Sequence, residues 1–138
     1  MKLLTKNTDY AIRALLVLAS KKGEFVSARE ISKIQNMPYQ YIRRILHVLI
    51  LNKLTLAKEG ISGGVMLNVS PGKIKLVDII KLFQGSVQLS ECMFRKKMCA
   101  NRTTCVLRKK IINIERMVAK EFENITIKSL LNDLKKGA

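Results

Sequence analysis

Acidic residues are scarce in this chain of 138 residues: 10 Asp+Glu stand against 26 Lys+Arg, and the net charge of +16 is far from the near-neutral balance of a generic soluble enzyme. The imbalance points to a negatively charged partner. Glycine and proline are also few, 7 and 2, while 48% of the residues are hydrophobic, which excludes a disordered basic tail or a low-complexity segment. No apolar run approaches the roughly 18 residues of a membrane span, the longest candidate being Ala14 to Ala19. Asp9 and Arg13 interrupt the amino-terminal apolar stretch and no small-residue cleavage site follows, so the expectation is mature cytoplasmic sequence with no membrane partner. Catalytic groups are wanting too. There is one histidine, His47, no paired carboxylates in a pocket-like context and no nucleotide-binding glycine motif, so no enzyme is expected.

What is present is a helical pattern with one β-like interruption. At this length about two-thirds of the unfolded surface can be buried, enough for one core. Ala11, Ile12, Leu15, Leu16, Leu18 and Ala19 recur at helical spacing from Thr8 to about Lys21, with Asn7 or Thr8 available as a cap. Ser27 and Glu30 have capping-box spacing and open a short helix ending near Ile34. Gln35-Asn36-Met37 then makes a tight connection, and Pro38, with no N–H to leave unpaired, opens a third helix running to Asn52. Its inward stripe is Ile42, Ile45, Leu46 and Leu49, whereas Gln40, Arg43, Arg44 and His47 fall at i, i+3, i+4 and i+7 on another face. Two short helices joined by a turn, the second so decorated, predict a helix-turn-helix.

Beyond Leu54 the period shifts. Thr55 to Lys58 and Val65 to Asn68 flank a glycine-rich tip, Glu59 to Gly64, and predict a hairpin wing. Ile74 to Phe83 reads as a helix ended by Gln84-Gly85, periodicity is lost from Ser86 to about Thr104, and a long helix runs from about Cys105 to Asn124. Leu107, Ile111, Ile114, Val118 and Phe122 lie along one side of it. A helix of about 20 residues spans about 30 Å, which is long for so small a monomer and predicts packing against a second copy. A short helix from Ser129 to about Lys135 closes the chain. The expected fold is mostly α: a winged helix-turn-helix DNA-binding domain over residues 1–85, a cysteine-containing loop over 86–104, and a dimerisation helix with a final helix over 105–138.

Double-stranded DNA is the expected partner of a homodimer, because each neutralised phosphate releases condensed counterions and a two-fold pair of recognition helices fits a near-palindromic site. The candidate contacts are Arg29 and Pro38 beside the turn, Gln40, Arg43, Arg44 and His47 on the polar face, and Lys58, Gly60, Ser62, Gly63 and Gly64 in the wing. A non-specific nucleic-acid packaging protein would share the charge.

Cys92, Cys99 and Cys105 are separated by six and five residues. Structural zinc sites favour closer pairs, while iron-sulfur clusters accept looser thiolate-rich loops. Arg95, Lys96, Lys97, Arg102, Arg108, Lys109 and Lys110 surround the cysteines with positive charge that would offset a cluster's negative charge. Three thiols leave such a shell one ligand short, and a cluster-free or zinc-bound thiol-redox regulator is the alternative.

The order of parts resembles the Rrf-two family of bacterial winged-helix regulators. The marks are Thr8-Asp9-Tyr10-Ala11-Ile12-Arg13-Ala14-Leu15, Ile31-Ser32 through Tyr41-Ile42, Gly63-Gly64, Leu76-Val77-Asp78-Ile79-Ile80 and the three cysteines. The resemblance implies a homodimer crossed by the long helices, DNA binding through the third helix and the wing, and a 2Fe-2S or 4Fe-4S cluster on the three cysteines that switches operator affinity in response to nitric oxide, redox or iron-sulfur status. Members similar to IscR take their fourth ligand from a histidine three residues after the last cysteine, where this chain has Arg108. Members similar to NsrR use an aspartate near the start of the first helix, donated by the partner subunit, and Asp9 stands in the matching context. An acid in a first helical turn also has an ordinary role, favouring the helix dipole.

Overall fold

In chain order the elements are α1 (Lys6–Ser20), α2 (Ala28–Gln35), α3 (Tyr39–Leu51), β1 (Thr55–Lys58), β2 (Gly64–Leu67), a single 3-10 turn at Pro71–Lys73, α4 (Leu76–Gln84), α5 (Val106–Glu123) and α6 (Ile127–Lys135). The computed structural model describes residues 3–89 and 105–137. Most of the loop expected over 86–104, with Cys92 and Cys99, lies outside the described residues.

α1 is apolar around most of its circumference and therefore sits at the centre, touching α2, α3, α4, α6 and β2. Ala11, Ala14 and Leu15 are wholly buried, and Ile42 and Leu49 of α3, Ile79 and Ile80 of α4, and Ile127 of α6 complete the core around them. Each fully buried leucine or isoleucine contributes about 1.5–3 kcal/mol. α6, the last short helix, belongs to this core through Ile127 rather than standing apart from it.

The amino terminus of α1 differs from expectation. Thr5 is the cap, its hydroxyl accepting from the Thr8 N–H at 3.3 Å, in place of Asn7 or Thr8. Thr8 is buried inside the helix, and its hydroxyl donates to Oε1 of Gln84 at 2.7 Å. Oε1 also accepts the Thr5 N–H at 3.0 Å, and Nε2 of Gln84 donates to the Leu3 carbonyl at 2.8 Å. The last residue of α4 thus fastens the first turn of α1.

α2 opens as predicted, Ser27 accepting the Glu30 N–H at 3.1 Å, but Glu30 does not return a bond to the cap; it pairs with Lys21 at the end of α1. Asn36 adopts the left-handed conformation (φ 51°) that ends α2, and buried Met37 turns the chain into α3. Pro38 is the cap of α3, one position earlier than the first-turn place expected of it.

β1 and β2 pair antiparallel, Thr55 opposite Leu67 and Lys58 opposite Gly64, so β2 starts one residue earlier than predicted. Val26 and Val65 exchange backbone bonds of 2.8 and 2.9 Å, tying the wing to the segment before α2. Gly64 makes this approach possible. Its φ is +154°, and a Cβ there would lie 2.5 Å from the Val26 carbonyl.

α4 begins two residues later than predicted because Pro71–Lys73 turn first. α6 begins two residues earlier than predicted: Thr126 and Ser129 form a reciprocal capping box, so Ser129 is its third helical residue. Leu76 N–H to Ile125 O (2.8 Å) and Ile127 N–H to Ile74 O (3.0 Å) bridge the approach to α4 with the α5–α6 junction. α5 has no fully buried residue, and Leu107, Ile114 and Met117 are 64%, 48% and 68% exposed.

Candidate nucleic-acid interface and cysteine site

α3 separates its residues as its spacing requires. Ile42, Ile45, Leu46 and Leu49 are buried, while Gln40, Arg43, Arg44 and His47 are all exposed. The four polar residues share an open cleft of about 450 Å³ with Gly64 and Val65 of the wing, floored by Leu46 and Ile50 and flanked by Ala28. Recognition-helix face and wing therefore form one continuous surface. The ion pairs Arg13–Asp9 and Lys21–Glu30 lie elsewhere, and among the described residues Arg43, Arg44 and Lys58 form none. Their charge is directed to solvent, where a phosphate backbone could take it.

In the wing, Gly60, Ile61 and Ser62 form an exposed tip closed by a 3.0 Å bond from the Gly63 N–H to the Gly60 carbonyl. Lys58 reaches back over the Phe25 ring at 5.5 Å. Arg29 lies on the exposed first turn of α2, with its guanidinium 4.5 Å from the centroid of the Tyr39 ring, and Pro38 is exposed at the head of α3. Sequence reasoning missed Tyr39 and Phe25. The i, i+4 spacing of Tyr39 and Arg43 was the available signal for the first; nothing local marks Phe25.

The cysteine site enters the described residues at Cys105 and Asp9. Cys105 is a free, half-buried thiol that caps α5, its Sγ accepting the Arg108 N–H at 3.4 Å. Asp9 lies in the first turn of α1 with Oδ2 3.0 Å from Nε of Arg13; the two side chains are 44% and 51% exposed. Surface pairs of this kind are worth about 0–1 kcal/mol, so the bond to Arg13 is a weak competitor for the carboxylate. A donor set of thiols plus one carboxylate suits iron-sulfur ligation chemically. No group of three or more ligating side chains converges among the described residues, which omit Cys92 and Cys99.

A helix-turn-helix, a wing docked beside it and, among the described residues, the further helices α1, α4, α5 and α6 define a winged-helix transcriptional regulator. The family model described as Rrf2, iron-dependent transcriptional regulator, matches residues 4–133. The chain belongs to the Rrf2 family, whose members are transcriptional regulators rather than enzymes. Among its relatives, the HTH-type transcriptional regulator NsrR of Shouchella clausii is 28% identical over 132 residues, covering 93% of this chain and 87% of that one. The fold is that of T. potens IscR, with a TM-score of 0.80, 22% identity, and 99% and 90% of the two chains covered. It is equally that of CymR, the global cysteine regulator of B. subtilis, with a TM-score of 0.81, 22% identity, and 96% and 98% covered. No helix among the described residues is long and apolar enough to cross a membrane.

Proposed function

We propose that this chain is a cytoplasmic, homodimeric DNA-binding regulator whose operator affinity is set by an iron-sulfur cluster on Cys92, Cys99 and Cys105, with Asp9 of the partner subunit as fourth ligand. Residues 1–85 read DNA, 86–104 carry the cluster loop, and within 105–138 α5 pairs the subunits while α6 packs on the core. The observation that carries DNA reading is the shared cleft of Gln40, Arg43, Arg44 and His47 with the wing. Exposed Leu107, Ile114 and Met117 supply an apolar face for a second α5. The cluster part rests on the three-cysteine set, on the likeness to NsrR and on the weakness of the Asp9–Arg13 pair.

Anaerobic purification followed by visible absorption and iron and sulfide analysis tests the cluster. A coloured protein with stoichiometric iron and sulfide, bleached by substitution of any of the three cysteines, is expected; a colourless, iron-free protein refutes it. Salt-dependent band shifts on the protein's own promoter region test DNA reading, and Arg43→Ala with Arg44→Ala should weaken binding and flatten the salt dependence. The alternative, a cluster-free or zinc-bound thiol-redox regulator, draws on the likeness of fold to CymR, a cysteine regulator. Reversible loss of DNA binding on oxidation of a metal-free preparation would promote it.

A further inference from the structure

The two helices of the helix-turn-helix are joined by an aromatic ring held between two cations. Tyr39, the first residue of α3, is half-buried; the guanidinium carbon of Arg29 on α2 lies 4.5 Å from its ring centroid, and that of Arg43, one turn along α3, lies 5.7 Å away. Both distances are within the range of about 6 Å for cation–π attraction. Neither arginine forms an ion pair or a hydrogen bond among the described residues, and each lies within cation–π reach of the same ring. Stacking uses the flat face of a guanidinium and leaves its five N–H donors pointing outward.

The two arms serve different surfaces. Arg43 lines the cleft shared with the wing. Arg29 lines a second open cleft, about 530 Å³, together with Tyr39, Ser32 and Lys33 of α2–α3 and the carboxylate of Glu30. When a helix-turn-helix docks, its first helix crosses the phosphate backbone and its second enters the major groove. Arg29 then faces a phosphate on the groove wall and Arg43 faces base edges, where a fork of donors suits guanine.

We propose that Tyr39 is a positioning residue that couples the phosphate contact of Arg29 to the base contact of Arg43, so that both guanidiniums enter the interface already oriented. This rests on the DNA-reading function proposed above. An exposed arginine loses its rotamer freedom on binding, and an arm already held on a ring loses less. The ring therefore acts on sequence discrimination. Bulk attraction to DNA depends on charge, which Tyr39 does not alter.

The test uses the full-length protein, a duplex that it enriches from a randomised library, and a scrambled duplex of equal length, each titrated over a range of salt. Tyr39→Ala should bind the enriched duplex about five- to tenfold more weakly, with the scrambled duplex within about twofold of wild type and the salt slope unchanged. Tyr39→Phe, which keeps the ring, should restore wild-type binding. In an Arg43→Ala background, Tyr39→Ala should add about twofold or less, because one arm of the couple is gone. Equal affinity of Tyr39→Ala and wild type for the enriched duplex overturns the proposal, as does equal weakening on both duplexes or equal loss in Tyr39→Phe. If Tyr39→Ala melts before it can be titrated, Tyr39→Leu keeps helix propensity and bulk without a π face and takes its place with the same expected loss. Failure of the wild type to enrich any sequence overturns the DNA-reading function itself, a result distinct from every Tyr39 outcome.

Discussion

Gly64→Ala tests whether the wing is held where the recognition helix needs it. A Cβ at this position would sit 2.5 Å from the Val26 carbonyl carbon and oxygen and 2.8 Å from the Ser27 nitrogen, where ordinary contact begins at 3.4 Å. Backbone lies on both sides of the clash, so no flexible side chain can relieve it. Parting the two backbones by about 0.9 Å, the difference between those values, would stretch the reciprocal Val26–Val65 bonds from 2.8 and 2.9 Å well past about 3.2 Å, the limit of a good bond. Two lost bonds at about 0.5–1.5 kcal/mol each, with about 1–3 kcal/mol of backbone strain at φ +154°, give about 2–6 kcal/mol of destabilisation. The whole domain has about 5–15 kcal/mol to lose, so a folded protein with a displaced wing is expected. Urea unfolding should show the lower stability, and fluorescence anisotropy on the promoter duplex should show affinity reduced about tenfold or more with an unaltered salt slope, since no charge is removed. Gly60→Ala is the control: its φ is +106° but no atom lies within 4 Å of the new Cβ, so only the local strain of about 1–3 kcal/mol is expected, with the wing in place. A Gly64→Ala protein within about 0.5 kcal/mol of wild type that binds DNA normally would refute the docking argument.

Three further outcomes follow from Gln84, Thr55 and Ile114. Gln84→Ala removes three hydrogen bonds, to the Thr5 N–H, the Thr8 hydroxyl and the Leu3 carbonyl, and should lower unfolding free energy by about 2–3 kcal/mol, whereas Gln84→Glu keeps an acceptor for Thr5 and Thr8 and should lose less; calorimetry on both variants decides. Thr55→Val replaces a buried hydroxyl that has no hydrogen-bond partner among the described residues, and its melting temperature should be equal to or higher than wild type, a clear fall showing that the hydroxyl is satisfied after all. Ile114→Asp places a charge on the exposed stripe of α5, where no residue is fully buried, and sedimentation should show a folded monomer; a dimer of unchanged affinity would move the subunit contact elsewhere.

The parts of the fold legible in the sequence are those fixed by local geometry. The α3 face was readable because a helix places residues at i, i+3, i+4 and i+7 together whatever surrounds them. The wing was readable because glycines are rare here and three fall within five residues of the tip. Tertiary partners decided the rest. Thr8 carries a capping side chain and has an acid beside it, yet Gln84, distant in sequence, draws its hydroxyl inward and leaves the cap to Thr5. Glu30 has the spacing of a capping box, yet the nearby Lys21 ammonium is the stronger attraction for a carboxylate. Ser129 was read as the start of the last helix, yet it is the third residue of a box begun by Thr126. The cysteine site was only half legible for a different reason. Gaps of six and five residues fix no geometry, so ligand type, not spacing, carries that assignment.

Under the proposed function, a change at the cysteine segment reaches the reading head through few contacts. α4 precedes the segment and α5 follows it; the two helices pack together, and the Leu89 N–H bonds Oε1 of Glu115 at 2.8 Å, folding the start of the segment onto α5. α4 is fastened at its approach to the α5–α6 junction and at its end, through Gln84, to the first turn of α1, the turn that holds Asp9. α1 in turn packs along α3. A displacement of the segment therefore acts on α3 through α1, by the small helix shifts that interfaces tolerate. The Gln84 tie, three hydrogen bonds worth about 2–3 kcal/mol, contributes to coupling only by the difference in its strength between the two states of the regulator, so that figure is its upper limit. A tie made in one state and lost in the other changes operator affinity by at most about 30- to 150-fold, without unfolding anything.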